Sequence, residues 1–175
     1  MIVDSVAGSN ESKTRSFRII GINHLGLAPK DPSKARTFFT NVLGLGFLGE
    51  ELVKEQMTNT VMIDSAMTNS APTDSATATS AKIPTGRPML EILENETGPD
   101  GPKPGPIAKF LAKKGSGIHH VALQVDNLDA ALAYMQANGI QMIDSTPRPG
   151  SHNTRIAFIH PESTGGLLVE LVQQL

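Results

Sequence analysis

The chain has 175 residues, 39% of them hydrophobic, enough for one well-buried core or two small fused modules and too few for two independent large domains. Its 15 basic and 17 acidic residues leave a net charge of −2, which gives no basis for a nucleic-acid or anionic-membrane surface. There is no cysteine, which excludes a disulfide framework, a thiol nucleophile and a cysteine-based zinc site.

Residues 1–16 read as a flexible tail. The stretch up to Phe17 is polar and has no apolar core, so it is neither a secretion signal nor a membrane span, and a cytoplasmic protein is expected. Residues 16–28 alternate well enough for a strand, and Asp31-Pro32-Ser33 opens a helix that should end near Val42, with an N-cap carboxylate followed by proline at the first helical position. Strands over 47–54 and 58–63 follow, with Glu55-Gln56 at the turn between them, and a fourth strand covers 87–93. Residues 64–86 are an insertion rich in Ser, Thr and Ala, too poor in large apolar side chains to form a core of their own. The first module therefore spans 17–94 in the order βαβββ.

Residues 95–116 carry the glycines and prolines of a linker and then a short amphipathic helix over 107–114, stopped by Gly115. A second module spans 117–175: a strand from Gly117, a helix over 127–138, a strand over 139–143, a loop over 144–153, and strands over 154–160 and 166–172.

The second module repeats the first. Asn23-His24-Leu25-Gly26-Leu27 is echoed by His119-His120-Val121-Ala122-Leu123, and the same offset superimposes Ala35 on Ala131 in the two helices. A repeat of this kind packs two similar halves about a pseudo-twofold axis, so equivalent residues face each other across the seam. The last strand of each half then supplies a carboxylate, Glu91 in one and Glu170 in the other, and their separations from His24 and His120 agree once the insertion is removed. Each carboxylate sits in an apolar strand, where an unpaired Glu is expensive to bury. A metal shared by His24, Glu91, His120 and Glu170 would offset that cost. The period-two rule sends His119 to the opposite strand face from His120, which makes His119 a structural or surface residue.

Paired βαβββ modules carrying these four residues resemble the vicinal oxygen chelate (glyoxalase, bleomycin resistance and dioxygenase) superfamily. Within it, Pro106-Ile107-Ala108-Lys109-Phe110-Leu111, Gly117-Ile118-His119-His120-Val121-Ala122, Pro147-Arg148-Pro149-Gly150-Ser151-His152 and His160-Pro161-Glu162-Ser163-Thr164-Gly165-Gly166-Leu167-Leu168-Val169-Glu170-Leu171 are similar to the methylmalonyl-CoA epimerases. The likeness covers roughly 18–55 and 89–172. It implies an α+β fold in which the two modules form one cup-shaped mixed sheet with helices outside, and a metal-dependent epimerase that removes and returns the α-proton of methylmalonyl-CoA through a metal-stabilised enolate. It also implies one divalent ion, for which two nitrogens and two oxygens suit cobalt, nickel, manganese or zinc, and a homodimer acting on an acyl-CoA, with neither nucleic acid nor membrane as partner. Glu55 is implied as the catalytic base on one face and Glu170, a metal ligand as well, as the base on the other. The family usually has Gly after Glu-Gln, whereas this chain has Met57. A glyoxalase I-type lyase and a non-enzymatic small-molecule-binding member of the superfamily are the alternatives; the Pro-Arg-Pro-Gly and His-Pro-Glu-Ser-Thr-Gly-Gly motifs speak against the lyase.

Overall fold

The computed structural model describes residues 15–67 and 87–175. In chain order it contains β1 (Ile19–Ala28), α1 (Pro32–Thr37) continuing as a wider π-helical turn (Phe38–Val42), β2 (Leu45–Val53), a 3-10 turn (Lys54–Gln56), β3 (Thr58–Met67) and β4 (Met89–Asn95). A small hairpin follows, β5 (Thr97–Gly98) and β6 (Gly101–Pro102), then α2 (Pro106–Lys114), β7 (Gly117–Val125) and α3 (Leu128–Ala137). The chain closes with β8 (Arg148–Gly150), β9 (Thr154–Ile159), a second 3-10 turn (Pro161–Thr164) and β10 (Val169–Gln174).

The two helices that face the sheet start alike. The Asp31 side chain accepts a hydrogen bond from the Lys34 amide with Pro32 in the first turn, and the Asn127 side chain accepts from the Ala130 amide. Each cap satisfies one of the amides that a helix start leaves without an intrahelical partner.

Eight strands form one sheet in the order β2-β3-β4-β1-β7-β10-β9-β8. The order is palindromic about the β1/β7 pair: β1 runs parallel to β4 as β7 runs parallel to β10, while β1 and β7 run antiparallel to each other. The inferred repeat is thus a twofold relation in the sheet, and the mixed, curled sheet is the α+β cup expected from the sequence.

Alternation along the strands divides the two faces. Val61, Ile63 and Ile92 pack with Ala35 and Phe39 of the first helical segment. Val125, Ala157, Ile159 and Leu171 pack with Leu128, Ala131 and Leu132 of α3. The intervening residues point the other way, and there Ala122, Ile156, Phe158 and Val172 form a cluster of their own. Helix α2 seats Ile107, 2% exposed, against Ala28 and Leu93, and so closes one side of the cup.

Several local expectations change. Residues 139–143 form no strand: Gly139 at φ +73° ends α3, and the following segment makes only the isolated bridge Met142 to Ile159 while Ile140 and Met142 pack on the core. The strand that completes the second module is β8, inside the stretch read as a loop. Pro149 is tolerated there because β8 is an edge strand and one side of it donates to no ladder. Strand β3 runs on through Met67, so the insertion begins later than residue 64, and Asp64 pairs in register with Met89 and by side chain with Arg87. Residues 15 and 16 of the tail are exposed, and Phe17, where the first module begins, is buried against Tyr134, ring centroids 5.7 Å apart. The remainder of the tail and of the insertion lies outside the described residues.

Candidate metal centre

Pairing across four adjacent strands builds the site. Gly26 of β1 lies beside Glu91 of β4 on one side and His120 of β7 on the other. Its equivalent, Ala122 of β7, lies beside His24 of β1 and Glu170 of β10. Two rows, each of a small residue flanked by an imidazole and a carboxylate, thus meet at the pseudo-twofold. All four polar side chains are buried, with 4–5% of their surface exposed.

Their tips converge. His24 Nε2 and His120 Nε2 are 3.0 Å apart. Glu91 Oε2 is 3.3 Å from His24 Nε2 and 3.6 Å from His120 Nε2, and Glu170 Oε2 is 4.0 and 3.2 Å from the same two atoms. Ligand atoms of His24, His120 and Glu170 all lie within 4.8 Å of one another. Bonds of about 2.1 Å to one ion place neighbouring donors roughly 3.0 Å apart at right angles and roughly 3.4 Å apart at tetrahedral angles. The separations from 3.0 to 4.0 Å therefore fit donors of His24, His120 and Glu170 around a single ion, while Glu91 reaches both imidazoles but stands outside this mutually close set of three.

Electrostatics without an ion point the same way. Burial pushes the His24 imidazolium down, but the charge and hydrogen bond of Glu91, with Glu170 behind it, win and raise it to about 8. Glu91 is pushed up by burial and more than brought back by His24, His120 and the Ser151 hydroxyl, which holds it below the usual carboxylate range. Burial depresses His120 to about 3, its attraction to Glu91 being opposed by His24 and His119. Glu170 is raised by burial, eased by His24 and raised again by the Glu91 charge, to about 7. The protein thus keeps one imidazolium–carboxylate pair and a second carboxyl that shares its proton with solvent near neutrality, and a dication with both carboxylates ionised would be charge-neutral.

Metal ligands must be deprotonated, so protons compete with the ion. Apparent affinity for a divalent metal should fall about tenfold per pH unit from pH 8 to 7, where His24 must yield a proton, and more steeply below 7, where Glu170 must yield one as well. Chelator competition between pH 6 and 9 measures this. An affinity that stays flat across the range would contradict the coordination by these groups.

The cluster opens into a cavity lined by Val53, Gln56, Leu93, Ile107, Ile156 and Phe158, with Thr60, Pro106, His119 and Ser151 completing the wall. The two edges of the sheet meet beside it. The turn between β8 and β9 donates the His152 amide to Glu51 of β2 at 2.7 Å and the Ser151 hydroxyl to Glu91 at 3.3 Å. That turn places His152 and Asn153 at φ +55° and +59°, as a tight right-twisted hairpin requires.

Glu55 is not gathered with the other four. It is exposed on the 3-10 turn whose next residue, Gln56, lines the cavity. The turn ends with Met57 in the left-handed region, φ +49° and ψ +40°, where the resembling family carries glycine. A side chain with a Cβ costs about 1–2 kcal/mol there, and glycine gives back about 0.5–1 kcal/mol through unfolded-chain entropy. Met57→Gly should therefore stabilise the fold by roughly 0.5 kcal/mol in denaturant unfolding. A loss of more than about 1 kcal/mol would mean that packing of the Met57 side chain outweighs the strain.

Four residues that shape the site escaped the sequence reading: Asn23, Gly26, His119 and Ser151. For His119 the reason is local. Leu27 pairs with Ile118 and Gly26 with His120, so β7 carries one extra residue at this point and the period-two rule fails. His119 is consequently half-buried, lines the cavity and has its Nδ1 3.0 Å from that of His120.

Comparison with known proteins agrees with this architecture. The chain is 34% identical over 152 residues to the uncharacterized protein YqjC of Bacillus subtilis, covering 87% of this chain and 91% of that one. It is 32% identical over 153 residues to the mitochondrial methylmalonyl-CoA epimerase of Bos taurus, covering 87% and 73%. Among solved structures, methylmalonyl-CoA epimerase from Mycobacterium tuberculosis superimposes with a TM-score of 0.72 at 27% identity, covering 90% and 89% of the two chains. A methylmalonyl-CoA epimerase in complex with methylmalonyl-CoA and NH4+ does so with a TM-score of 0.73 at 27% identity, covering 90% and 96%. Residues 23–158 match the family model described as the glyoxalase/bleomycin resistance protein/dioxygenase superfamily, to which the chain belongs.

Proposed function

We propose that this protein is a divalent-metal-dependent epimerase that inverts the α-carbon of methylmalonyl-CoA or a close 2-alkylmalonyl thioester. The observation that carries the reading is the cluster of two imidazoles and two carboxylates at the end of an otherwise largely apolar cavity. It is supported by the relatives named as methylmalonyl-CoA epimerases.

In this reading His24, Glu91, His120 and Glu170 hold the ion. When bound, a divalent cation supplies Lewis-acid stabilisation of the negative charge that develops on the thioester oxygen as the α-proton leaves. Glu170 takes or returns that proton on one face. Glu55, carried on the turn beside the cavity, does so on the other. The apolar wall of Val53, Leu93, Ile156 and Phe158 excludes water from the carbanionic carbon and accepts the small alkyl substituent.

The homodimer and the cytoplasmic location are part of the same proposal. Ile20 and Ile22 of β1, 55% and 48% exposed, offer apolar surface for a second copy. No helix among the described residues is long and apolar enough to cross a membrane.

The experiment is a pair of assays on one metal-loaded sample: solvent-deuterium incorporation and stereoisomer interconversion with methylmalonyl-CoA, beside lactoylglutathione formation from a glutathione hemithioacetal. Turnover of the thioester alone is expected. Turnover of the hemithioacetal alone would replace the epimerase with a lyase, and turnover of neither would leave a binding protein.

A further inference from the structure

Strand β1 carries a bulge of its own. Ile22 pairs with Leu123 and His24 with Ala122, so Asn23 is the extra residue. His119 is the extra residue of β7, and the two bulges are related by the 96-residue offset that relates His24 to His120. In each bulge the extra residue meets the following imidazole at the nitrogen facing away from the cluster. His24 Nδ1 donates to Asn23 Oδ1 at 2.8 Å, and Nδ1 of His120 lies 3.0 Å from Nδ1 of His119. A bulge leaves a ladder position unpaired and kinks the strand, so two of them at symmetry-related points need a local reason.

We propose that Asn23 and His119 are positioning residues for the metal centre, each fixing the tautomer and rotation of the ligand imidazole next to it; this rests on the metal-binding reading above. A neutral imidazole that offers Nε2 to an ion must carry its proton on Nδ1, and the group receiving that proton selects the tautomer. Asn23 Oδ1 is an acceptor by chemistry. His119 becomes one only as the Nε2–H tautomer, and its ring is held edge-on by Phe110 of α2, centroids 5.0 Å apart. On a regular pleat both side chains would have faced the helical layer and neither ligand would have had this partner.

The test uses the full chain and Zn2+ or Co2+ as probe, with affinity from chelator competition. Asn23→Ala and His119→Ala should each weaken binding about 10- to 100-fold, the range for loss of such a partner. His119→Asn, which copies the arrangement of the first half, should bind within about threefold of the native chain, because Oδ1 of Asn occupies the place of Nδ1. In the Zn2+-loaded protein, the slowly exchanging Nδ1–H proton signal of His120 should persist in His119→Asn and disappear in His119→Ala. The melting temperatures of the metal-free variants identify any that fail to fold, and Asn23→Ala and His119→Asn decide the matter if His119→Ala is one of these. Native-like affinity in Asn23→Ala and His119→Ala overturns the proposal, as does a His119→Asn that binds no better than His119→Ala. A native chain that takes up neither metal overturns the metal-binding reading itself.

Discussion

Gly26→Ala should abolish stoichiometric divalent-metal uptake and cut turnover at least about 100-fold, since a misplacement of about 1 Å in a catalytic array costs that much. Gly26 stands between Glu91 and His120 in the sheet, and the His120 ring lies directly over it. A Cβ at this position would fall 2.3 Å from Cε1, 2.5 Å from Nδ1 and 2.7 Å from Nε2 of His120. No real Cβ tolerates such contacts, so the imidazole must swing off its site, away from both the Nε2 of His24 and the Nδ1 of His119. The equivalent position supplies the control. Ala122 already carries a methyl group between His24 and Glu170, fully buried, and Ala122→Gly should keep the metal at a cost of roughly 0.5–1 kcal/mol of stability. Elemental analysis of the two purified variants checks the contrast. A Gly26→Ala protein that retains one equivalent of metal with native affinity would mean that His120 is not a ligand.

The contrast between Gly26 and Ala122 also marks how far the sequence can be read. The repeat around His24 and His120 was legible because both halves obey the same hydrophobic alternation and the same helix caps, Asp31 and Asn127. Glu91 and Glu170 were legible because a carboxylate amid Leu, Ile and Val on a strand has few inexpensive explanations. What stayed hidden depends on register. Whether a strand carries an extra residue is decided by its neighbour across the ladder, and neither Asn23 nor His119 bears a local mark of its bulge. Likewise Arg148-Pro149-Gly150 reads as a turn by composition and becomes a strand because β9 offers an edge where proline's missing N–H costs nothing. Residues 139–143 went wrong in the opposite sense. Ile140 and Met142 pack against the α3 side of the core while Ile143 stays exposed, a pattern that alternation alone cannot distinguish from a paired strand.

Glu55→Gln and Glu170→Gln should separate proton transfer from metal binding. The Glu55 side chain lies on the exposed turn next to Gln56 and makes no contact with the imidazole cluster, so its amide should leave metal content unchanged. Activity should fall by about 100- to 10,000-fold, the usual loss on removing a general base. Glu170 is different, because its Oε2 is 3.2 Å from His120 Nε2 and it is both ligand and base in the proposed scheme. Glu170→Gln replaces an anionic oxygen with a neutral amide and should lower metal affinity and turnover together. A two-base path assigns each face of the α-carbon to a different group. The Glu55 variant should therefore still wash solvent deuterium into the stereoisomer served by Glu170 while failing to convert it into the other. Nuclear magnetic resonance of the recovered thioester, resolved by stereoisomer, distinguishes exchange from inversion. Native turnover in Glu55→Gln would remove Glu55 from the mechanism, and exchange from both stereoisomers at equal rates in that variant would show that a single base serves both faces.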